Sequence, residues 1–467
     1  MTAAGRWAMN WSRANRLPGL SRRAFNEPRR APVAVAGLAL LGVALGLGGQ
    51  ASAAHGGASP PEGVPAVALS SSWSCAGATA GAGSLAAGRV LVDNAGSVSL
   101  AGSLRLVAED GQARQLAFSV PAARQLSLPE TLAGKARGEW AAAFVELYGG
   151  MGSVYQKVST RWGSSVEPCI AQASSKWYFA GGSVLRNATL ELSLANPYPA
   201  AAVVDVSFAT NEGPEQPLGF QGVVVPARGL AVLNVGAALR QRADIATQVT
   251  TSSGLVAAFE TFRVARPPAG AAALGTPGAL NPALASQGVA LSAGMQPSST
   301  WWWAAAGEEG RTTEIYQLYN PGSTPARAVL QILPGGKGTG SSHSFTVAPA
   351  SLAAVTTNGA SWALPGVAYS AHVYSSQPLV AEREAIGPGI SLAPGTAKAS
   401  TRWLATPSLH ELYSPFGGVV SVYGRPALDL AAGGRGDLTP APGTPPVISG
   451  SSPLVLEGPA VPLRPGS

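Results

Sequence analysis

The sequence predicts an all-β protein built of tandem modules, and three observations support that prediction. Tryptophans at positions 73, 177, 301 and 403 each follow a short Ser- or Thr-containing segment, at spacings of 104, 124 and 102 residues. Asn-Pro follows the second and third tryptophan by the same 19 residues, and a Leu-Val-Ala triplet begins 59 residues after each Asn. Between turn residues the apolar positions recur with a period of two. Self-similarity at fixed offsets indicates a duplicated folding unit, and the period indicates strands.

The N-terminal 54 residues have the composition of an export segment. Residues 1–30 contain seven arginines and one acidic residue, Glu27, and residues 31–48 are uncharged and mostly apolar. Ala51-Ser52-Ala53 follows as an A-x-A cleavage site. The apolar run predicts one N-terminal helix, and two alternatives stay open: a cleaved signal peptide or an uncleaved signal anchor. Residues 55–70 are predicted to be a linker.

The positive net charge of +7 belongs to this segment and not to the exported part. Without residues 1–54 the chain keeps 24 of 31 basic and 23 of 24 acidic residues, a net charge of +1. That balance excludes a nucleic-acid footprint. We expect an extracytoplasmic protein, either secreted or anchored to the cytoplasmic membrane by residues 31–48.

Three modules are predicted as immunoglobulin-like antiparallel β-sandwiches, at residues 71–165, 173–265 and 298–388. In the second module Leu190 to Leu194 alternates strictly, Asn196-Pro197 ends the strand, and a turn at Ser252-Ser253-Gly254 predicts a closing hairpin. Residues 266–297 are rich in Pro, Ala and Gly and are predicted to be a linker. Short strands at regular spacing are typical of sandwiches.

The fourth tryptophan segment has fewer strand-like residues after it. Residues 398–426 are therefore predicted to form a hairpin that caps an edge of the third module. Residues 427–467 contain many Gly and Pro residues, and we expect a disordered tail.

The chain has two cysteines, Cys75 and Cys169, one just after the first tryptophan and one just before the second. An even count in an exported chain predicts a disulfide. The alternative is a pair of free buried thiols.

The tryptophan-led segments are the candidate binding residues. Trp177, Tyr178, Trp301, Trp302 and Trp303 place large rings on both faces of a strand, because side chains alternate. Exposed rings suit a glycan contact, whereas buried rings would serve packing between modules. Recurrence at every module boundary favours packing.

No other residues form a catalytic, cofactor or metal pattern. The four histidines lack metal-ligand spacing, and no nucleophile elbow or phosphate loop occurs. Glu382-Arg383-Glu384 in the third module is interpreted as an exposed ion pair. We therefore expect no catalytic residues, no cofactor and no metal.

The motif order resembles an actinobacterial family of secreted or membrane-anchored proteins of unknown function. The pattern is W-Y-F-x-x-G, then N-P, V-P-A and E-R, and it is matched by Trp177-Tyr178-Phe179 with Gly182, by Asn196-Pro197, by Val225-Pro226-Ala227 and by Glu382-Arg383. Ala180 and Trp302-Trp303 depart from it. The resemblance implies a location in the cell envelope and no reaction.

The expected function is that of a non-enzymatic envelope protein, a structural scaffold or adhesin-like array of modules. The alternative is a cell-surface glycan-binding protein that uses the tryptophan-led segments. Expected partners are cell-envelope polysaccharide or other envelope proteins, and the membrane through the N-terminal segment.

Overall fold

The computed structural model describes residues 70–78, 87–132, 140–160, 163–265, 287–306, 313–335, 340–358, 360–363, 367–386, 389–423 and 425–463. The chain divides into two units, Met1–Gly63 and Val64–Ser467, and all described residues lie in the second. The predicted N-terminal helix and, apart from Ser70, the linker at 55–70 lie outside the described residues. In the described part of the chain, no helix has the length and apolar character needed to cross a bilayer.

The described residues form an all-β structure of antiparallel sheets, and module 1 shows its plan. Its strands are β1 (Ser71–Ala78), β2 (Ala87–Asn94), β3 (Leu100–Ala108), β4 (Ala113–Val120), β5 (Arg124–Pro129), β6 (Trp140–Leu147), β7 (Gly152–Thr160) and β8 (Gly163–Pro168). One sheet has the order β1-β6-β3-β4 and the other β5-β2-β7-β8. Buried apolar side chains from both sheets form one core, as in a sandwich.

Module 2 repeats this plan. Its strands are β9 (Lys176–Phe179), β10 (Ala188–Ala195), β11 (Ala202–Thr210), β12 (Gly213–Glu215), β13 (Val223–Val225), β14 (Leu230–Asn234), β15 (Ile245–Ser253), β16 (Ala257–Val264) and β17 (Gly288–Ala293). The sheets are β12-β11-β15-β9, with β13 also on β11, and β14-β10-β16-β17. The linker predicted at 266–297 includes β17, which is the last strand of the second sheet, so the C-terminal boundary of that prediction is wrong.

Module 3 has β18 (Ser298–Ala306), β19 (Thr313–Asn320), β20 (Ala326–Pro334), β21 (Ser341–Val347), β22 (Ser351–Thr356), β23 (Tyr369–Ile386) and β24 (Ile390–Pro394). The 18-residue strand β23 belongs to both sheets. Its first half pairs with β18 and β20, and its second half with β19 and β24. The closing hairpin predicted in module 2 is wrong, and the same holds for the corresponding segments of module 3. The chain crosses from one sheet to the other at this point, so the two strands do not pair with each other.

The C-terminal region is a fourth module, and the predicted capping hairpin and disordered tail are wrong. Its strands are β25 (Ser400–Ala405), β26 (His410–Ser414), β27 (Gly418–Val422), β28 (Arg425–Leu430), β29 (Gly434–Leu438), β30 (Val447–Glu457) and β31 (Ala460–Pro462). Like β23, β30 pairs with strands of both sheets. A separate core that includes Trp403, Leu412 and Ile448 holds them together.

One pairing identifies the four modules as copies. The residue after each recurring tryptophan pairs with the end of its own module: Ser74 with Ile170, Tyr178 with Met295, Trp302 with Thr396, and Leu404 with Val461. Each module is therefore closed by contact between its first strand and its last segment.

Candidate functional site

The disulfide predicted between Cys75 and Cys169 is confirmed. Both cysteines are buried and their Cα atoms lie 4.8 Å apart. The bond joins β1 to the segment that leaves module 1, where Ser74 also pairs with Ile170. Disulfides persist in oxidising compartments, so this one suggests a location outside the cytoplasm.

The tryptophan that begins each middle module is part of the core. The indole nitrogen of Trp177 donates to the carbonyl of Val256 at 2.6 Å, and that of Trp301 to the carbonyl of Leu379 at 3.0 Å. Both rings are buried. Each indole thus ties the first strand to the point where the chain crosses between sheets.

The residues after these tryptophans pack between modules. Tyr178 of module 2 is 7% exposed and contacts Tyr319 of module 3, with ring centroids 6.4 Å apart. Trp302 of module 3 is half-buried and stacks on His372 at 3.5 Å and on Tyr413 of module 4 at 5.8 Å. Trp303 is buried, and its indole donates to the carbonyl of Ala393.

Four of the five rings predicted as glycan contacts are thus buried, and Trp302 lies between two other rings. A saccharide that stacks on an aromatic side chain needs an open ring face. The placement of these side chains supports packing between modules and argues against a stacking platform.

The recurring asparagines fasten turns. The amide of Asn196 donates to the carbonyls of Ala200, Val225 and Pro226. Asn94 and Asn320 make the same type of bonds in modules 1 and 3. Each buried amide makes three or four bonds that hold the turn after the asparagine against a second turn later in the module, so these residues are structural.

The segment Glu382-Arg383-Glu384 was expected to be an exposed ion pair, and this expectation is wrong because all three side chains are buried. Oε2 of Glu382 accepts hydrogen bonds from the backbone amides of Ala180 at 2.7 Å and Gly181 at 2.6 Å, both in module 2. Its Oε1 accepts from the Ser292 hydroxyl. Glu382 therefore joins module 3 to the tryptophan-led segment of module 2.

Strand register shows that this position recurs in each module. Glu382 lies opposite Gln317, three residues before Asn320. The residues opposite the matching positions in the other modules are Tyr155, Phe259 and Glu457. Aligning the two Leu-Val-Ala triplets would place Ala258 at the position of Glu382. The strand register differs from that alignment by one residue, and the residue of module 2 that corresponds to Glu382 is Phe259.

In three of the modules, the residue at the recurring position donates or accepts a hydrogen bond across a module boundary. Oε2 of Glu457 accepts from the backbone amide of Ala305 in module 3 at 2.9 Å, just as Glu382 binds module 2. The hydroxyl of Tyr155 in module 1 donates to the carbonyl of Leu404 in module 4, also at 2.9 Å. The last module is therefore joined to the first.

The other contacts between modules agree with this cyclic order. The backbone amide of Gln125 in module 1 donates to the carbonyl of Gly443 in module 4. Between modules 1 and 2, the hydroxyl of Ser165 accepts from the amide of Leu291, and the guanidinium of Arg263 lies 5.7 Å from the ring centre of Trp140. The four modules form a ring in which each contacts the next and the fourth contacts the first.

Charges at the contacts differ from one junction to the next. Between modules 3 and 4, Arg383 pairs with Glu457, and within module 3 it also pairs with Glu314 at 3.1 Å. Between modules 2 and 3, Glu260 and Glu382 interact as like charges. Burial raises the pKa of Glu260 well above its usual range, the Thr247 hydroxyl offsets part of that rise, and Glu382 adds to it.

Neither carboxylate oxygen of the buried Glu260 accepts a hydrogen bond of normal geometry, whereas Glu382 accepts three. Bonds donated to a carboxylate favour its charged form, and desolvation without donors favours the neutral form. Burial raises the pKa of Glu382 as well, but the bonds from Ser292, Ala180 and Gly181 lower it again. Glu382 is therefore the member of the pair whose charged form is better stabilised, and Glu260 the member that favours the neutral form.

A cavity of about 990 Å³ lies where modules 1, 3 and 4 converge. Modules 1 and 3 are not neighbours in the cyclic order, yet both line this cavity. Its walls include β8 and β24, the segments around β31, and the charged side chains of Lys157, Lys398 and Glu411. Burial and the nearby Glu457 raise the pKa of Glu411 to about 7.

This cavity is the candidate functional site, and sequence patterns did not single out most of its residues. Only Trp302 and Trp303 among the predicted site residues line it. No group of three or more His, Cys, Asp or Glu side chains that could hold a metal ion occurs in the described part of the chain.

A family profile matches part of the chain. The profile of a family described as "Family of unknown function (DUF5719)" matches residues 120–271, which begin at the last residue of β4, extend beyond the end of β16 and stop before β17. No curated protein and no solved structure matches the chain.

Proposed function

We propose that this chain is a non-enzymatic protein of the cell envelope, a structural scaffold whose four modules close into a ring outside the cytoplasm. The observation that supports it most is the recurring contact from one closing strand to the preceding tryptophan-led segment. The side chains with the chemistry of catalytic groups, Glu382, Arg383 and Glu457, are used in these contacts. Because these residues hold the modules together, the four modules form a rigid body, which suits a protein that spaces or displays other components of the envelope.

The location is part of the proposal. Supporting it are the disulfide and the arginine-rich, apolar N-terminus, which would export the chain as a secreted protein or anchor it through residues 31–48. Fractionation of cells that carry a C-terminally tagged chain, with intact-mass measurement, tests it. We expect the mature chain outside the cytoplasm, and recovery of reduced, full-length protein in the cytoplasm would contradict the proposal.

A scaffold and an enzyme differ in which substitutions abolish their role. In cells whose native chain is replaced by variants, Glu382→Gln is expected to impair envelope integrity because it weakens the contact between modules 2 and 3. Glu411→Gln together with Ser408→Ala changes polar cavity side chains that make no contact between modules of this kind, and it should leave integrity unchanged. The opposite result, with Glu382→Gln silent and the cavity variant defective, would contradict the scaffold role and favour a function carried by the cavity.

A further inference from the structure

The cavity between modules 1, 3 and 4 has features that a purely structural ring does not need. Its volume of about 990 Å³ lies at the upper end of the range for small-molecule sites, which is about 300–1,000 Å³. Three modules contribute to its wall, so its shape depends on the contacts between them. A ring without any ligand would still satisfy the proposed scaffold role, and a ligand in this cavity would be a function beyond that role.

The walls are poorly suited to an extended peptide. Three strands that border the cavity end in proline, at Pro168, Pro394 and Pro462, and all three residues line it. Proline has no backbone N–H and blocks the addition of another strand. The carbonyl of Ala393 is also occupied by the indole of Trp303. Recognition must therefore rely on side chains.

The side chains of the wall are rich in hydroxyl groups. Ser164 comes from module 1, Ser391 and Thr396 from module 3, and Thr406 and Ser408 from module 4. Each hydroxyl can both donate and accept hydrogen bonds. The hydroxyls of Thr406 and Ser408 bond each other at 2.7 Å and Thr406 is buried, so Ser164, Ser391 and Thr396 are the main hydroxyl groups for a ligand. Groups of this kind distributed around a cavity match a ligand that itself carries many hydroxyls.

The wall carries acidic and basic side chains, and the basic ones without an ion-pair partner favour an anionic ligand. Among the acidic ones, Glu457 pairs with Arg383, and burial raises the pKa of Glu167 to about 8 and that of Glu411 to about 7. Lys157 and Lys398 line the cavity, and neither forms an ion pair with a carboxylate of the described residues. Arg89 lies directly opposite Lys157 in the sheet, which adds a second cation beside it. Arg383 is already neutralised by Glu314 and Glu457. The two lysines are the basic groups that remain for a ligand.

We propose that this cavity binds an anionic saccharide, with Lys157 and Lys398 contacting its acidic group and the hydroxyl side chains of modules 1, 3 and 4 contacting its sugar hydroxyls. The acidic group is a uronate or a phosphate, since both present oxygen anions to lysine. The proposal differs from stacking on the tryptophan-led segments, whose rings are packed inside the protein.

The test uses the purified exported chain with its disulfide intact. An array of uronic-acid and phosphorylated oligosaccharides, printed beside their neutral parent saccharides, gives the binding class, and calorimetry with the best binder gives the affinity. We expect saturable binding to an acidic glycan, with its neutral parent at least about tenfold weaker, because a charged hydrogen bond contributes about 1.5–3 kcal/mol. The uronate and phosphate sets on the array distinguish the two acidic groups.

Variants locate the site. Lys157→Ala and Lys398→Ala should each weaken binding by about tenfold, and Ser391→Trp should abolish it by filling the cavity. Lys176→Ala is the matched control, an exposed lysine on β9 outside the cavity, and should bind like the wild type. Hydrogen exchange of the backbone amides at the contacts between modules confirms that each variant is folded.

Three outcomes would overturn the proposal: binding to no acidic glycan on the array, equal binding to neutral parents, or unchanged affinity in the Lys157→Ala/Lys398→Ala double variant. None of these outcomes bears on the scaffold proposal, which is tested by the envelope phenotype of Glu382→Gln.

Discussion

Glu382 and Gly181 are separated by 201 residues, yet Oε2 of Glu382 lies 2.6 Å from the backbone nitrogen of Gly181. The two residues belong to the E-R and W-Y-F-x-x-G motifs seen in the sequence. Each motif was visible by itself, and the structure shows that they bind each other across a module boundary. The motifs thus describe a junction between modules as well as the inside of one.

Replacement of Glu382 tests that junction. Glu382→Gln puts an amide nitrogen beside backbone donors, and we expect a loss of about 2–4 kcal/mol in the free energy of opening of this contact, because buried donors lose their acceptor. Hydrogen exchange at Ala180 and Gly181 measures it locally, which avoids assuming two-state unfolding of the whole chain. Glu146→Gln, at an exposed glutamate of module 1, is the control. Unchanged exchange at both amides would show that the contact contributes nothing.

Glu260 predicts a pH dependence of stability. Its pKa is raised in the folded state, so its contribution to stability is present below the unfolded pKa of about 4.5 and is lost as the pH rises through the folded pKa. Glu260→Gln cannot ionise. We expect the variant to gain stability relative to the wild type as the pH rises from about 5, by up to about 1.4 kcal/mol per pH unit.

Denaturation at a series of pH values measures this difference. Other buried carboxylates, such as Asp93 and Glu130, also have pKa values raised to about 8 by burial, so only the difference between variant and wild type is informative. A constant difference at all pH values would contradict the assignment of Glu260 as the neutral partner of Glu382.

The disulfide predicts a large effect on module 1. Its two cysteines are 94 residues apart, and closing a loop of that length stabilises by about 4–5 kcal/mol on the chain-entropy model. Cys75→Ser/Cys169→Ser should lower the unfolding free energy of this module by about that amount. Chemical denaturation followed by hydrogen exchange on β1 measures it. The wild type with dithiothreitol should behave like the variant, and alkylation of both cysteines without reductant would disprove the bond.

The asparagines predict equal effects in two modules. The amide of Asn320 donates to Thr324 and Val347, and its oxygen accepts from the amide of Gly322. Asn320→Ala and Asn196→Ala should each cost about 2–4 kcal/mol, because buried carbonyls are left without donors. Thermal unfolding with hydrogen exchange assigns the loss to each module. Asn234→Ala, at an exposed asparagine without a side-chain cap bond, is the control and should be silent.

The repeat offsets were sufficient to predict tandem all-β modules and the structural role of Asn196 and Asn320, because each depends on local turn chemistry. The fourth module was missed although its signals are present. Leu412-Tyr413-Ser414-Pro415 matches Leu318-Tyr319-Asn320-Pro321, and Pro453-Leu454-Val455-Leu456-Glu457 matches the closing strand of module 3. The Gly- and Pro-rich residues between them resemble a disordered segment in composition, but they contain β28 and β29.

The site could not be read from the sequence for a different reason. Lys157 and Lys398 are 241 positions apart and belong to no motif, and they share a cavity because contacts such as that between Tyr155 and Leu404 bring distant modules together. The exposure expected for Glu382 was also wrong, since an acidic residue on a strand is usually exposed unless a partner module covers it. Contacts between modules decide both cases, and these depend on register at long range.

The contact between Tyr155 and Leu404 also fixes how many copies of the module this chain can have. An open array can gain or lose a repeat at either end, since each repeat interacts with its neighbours alone. In a closed ring, deletion of one module removes two contacts between modules. The remaining modules could close the gap only if the angle at every contact between them changed. Duplication inside this gene product would therefore open the ring, and the number four is a property of the whole assembly and not of any single module.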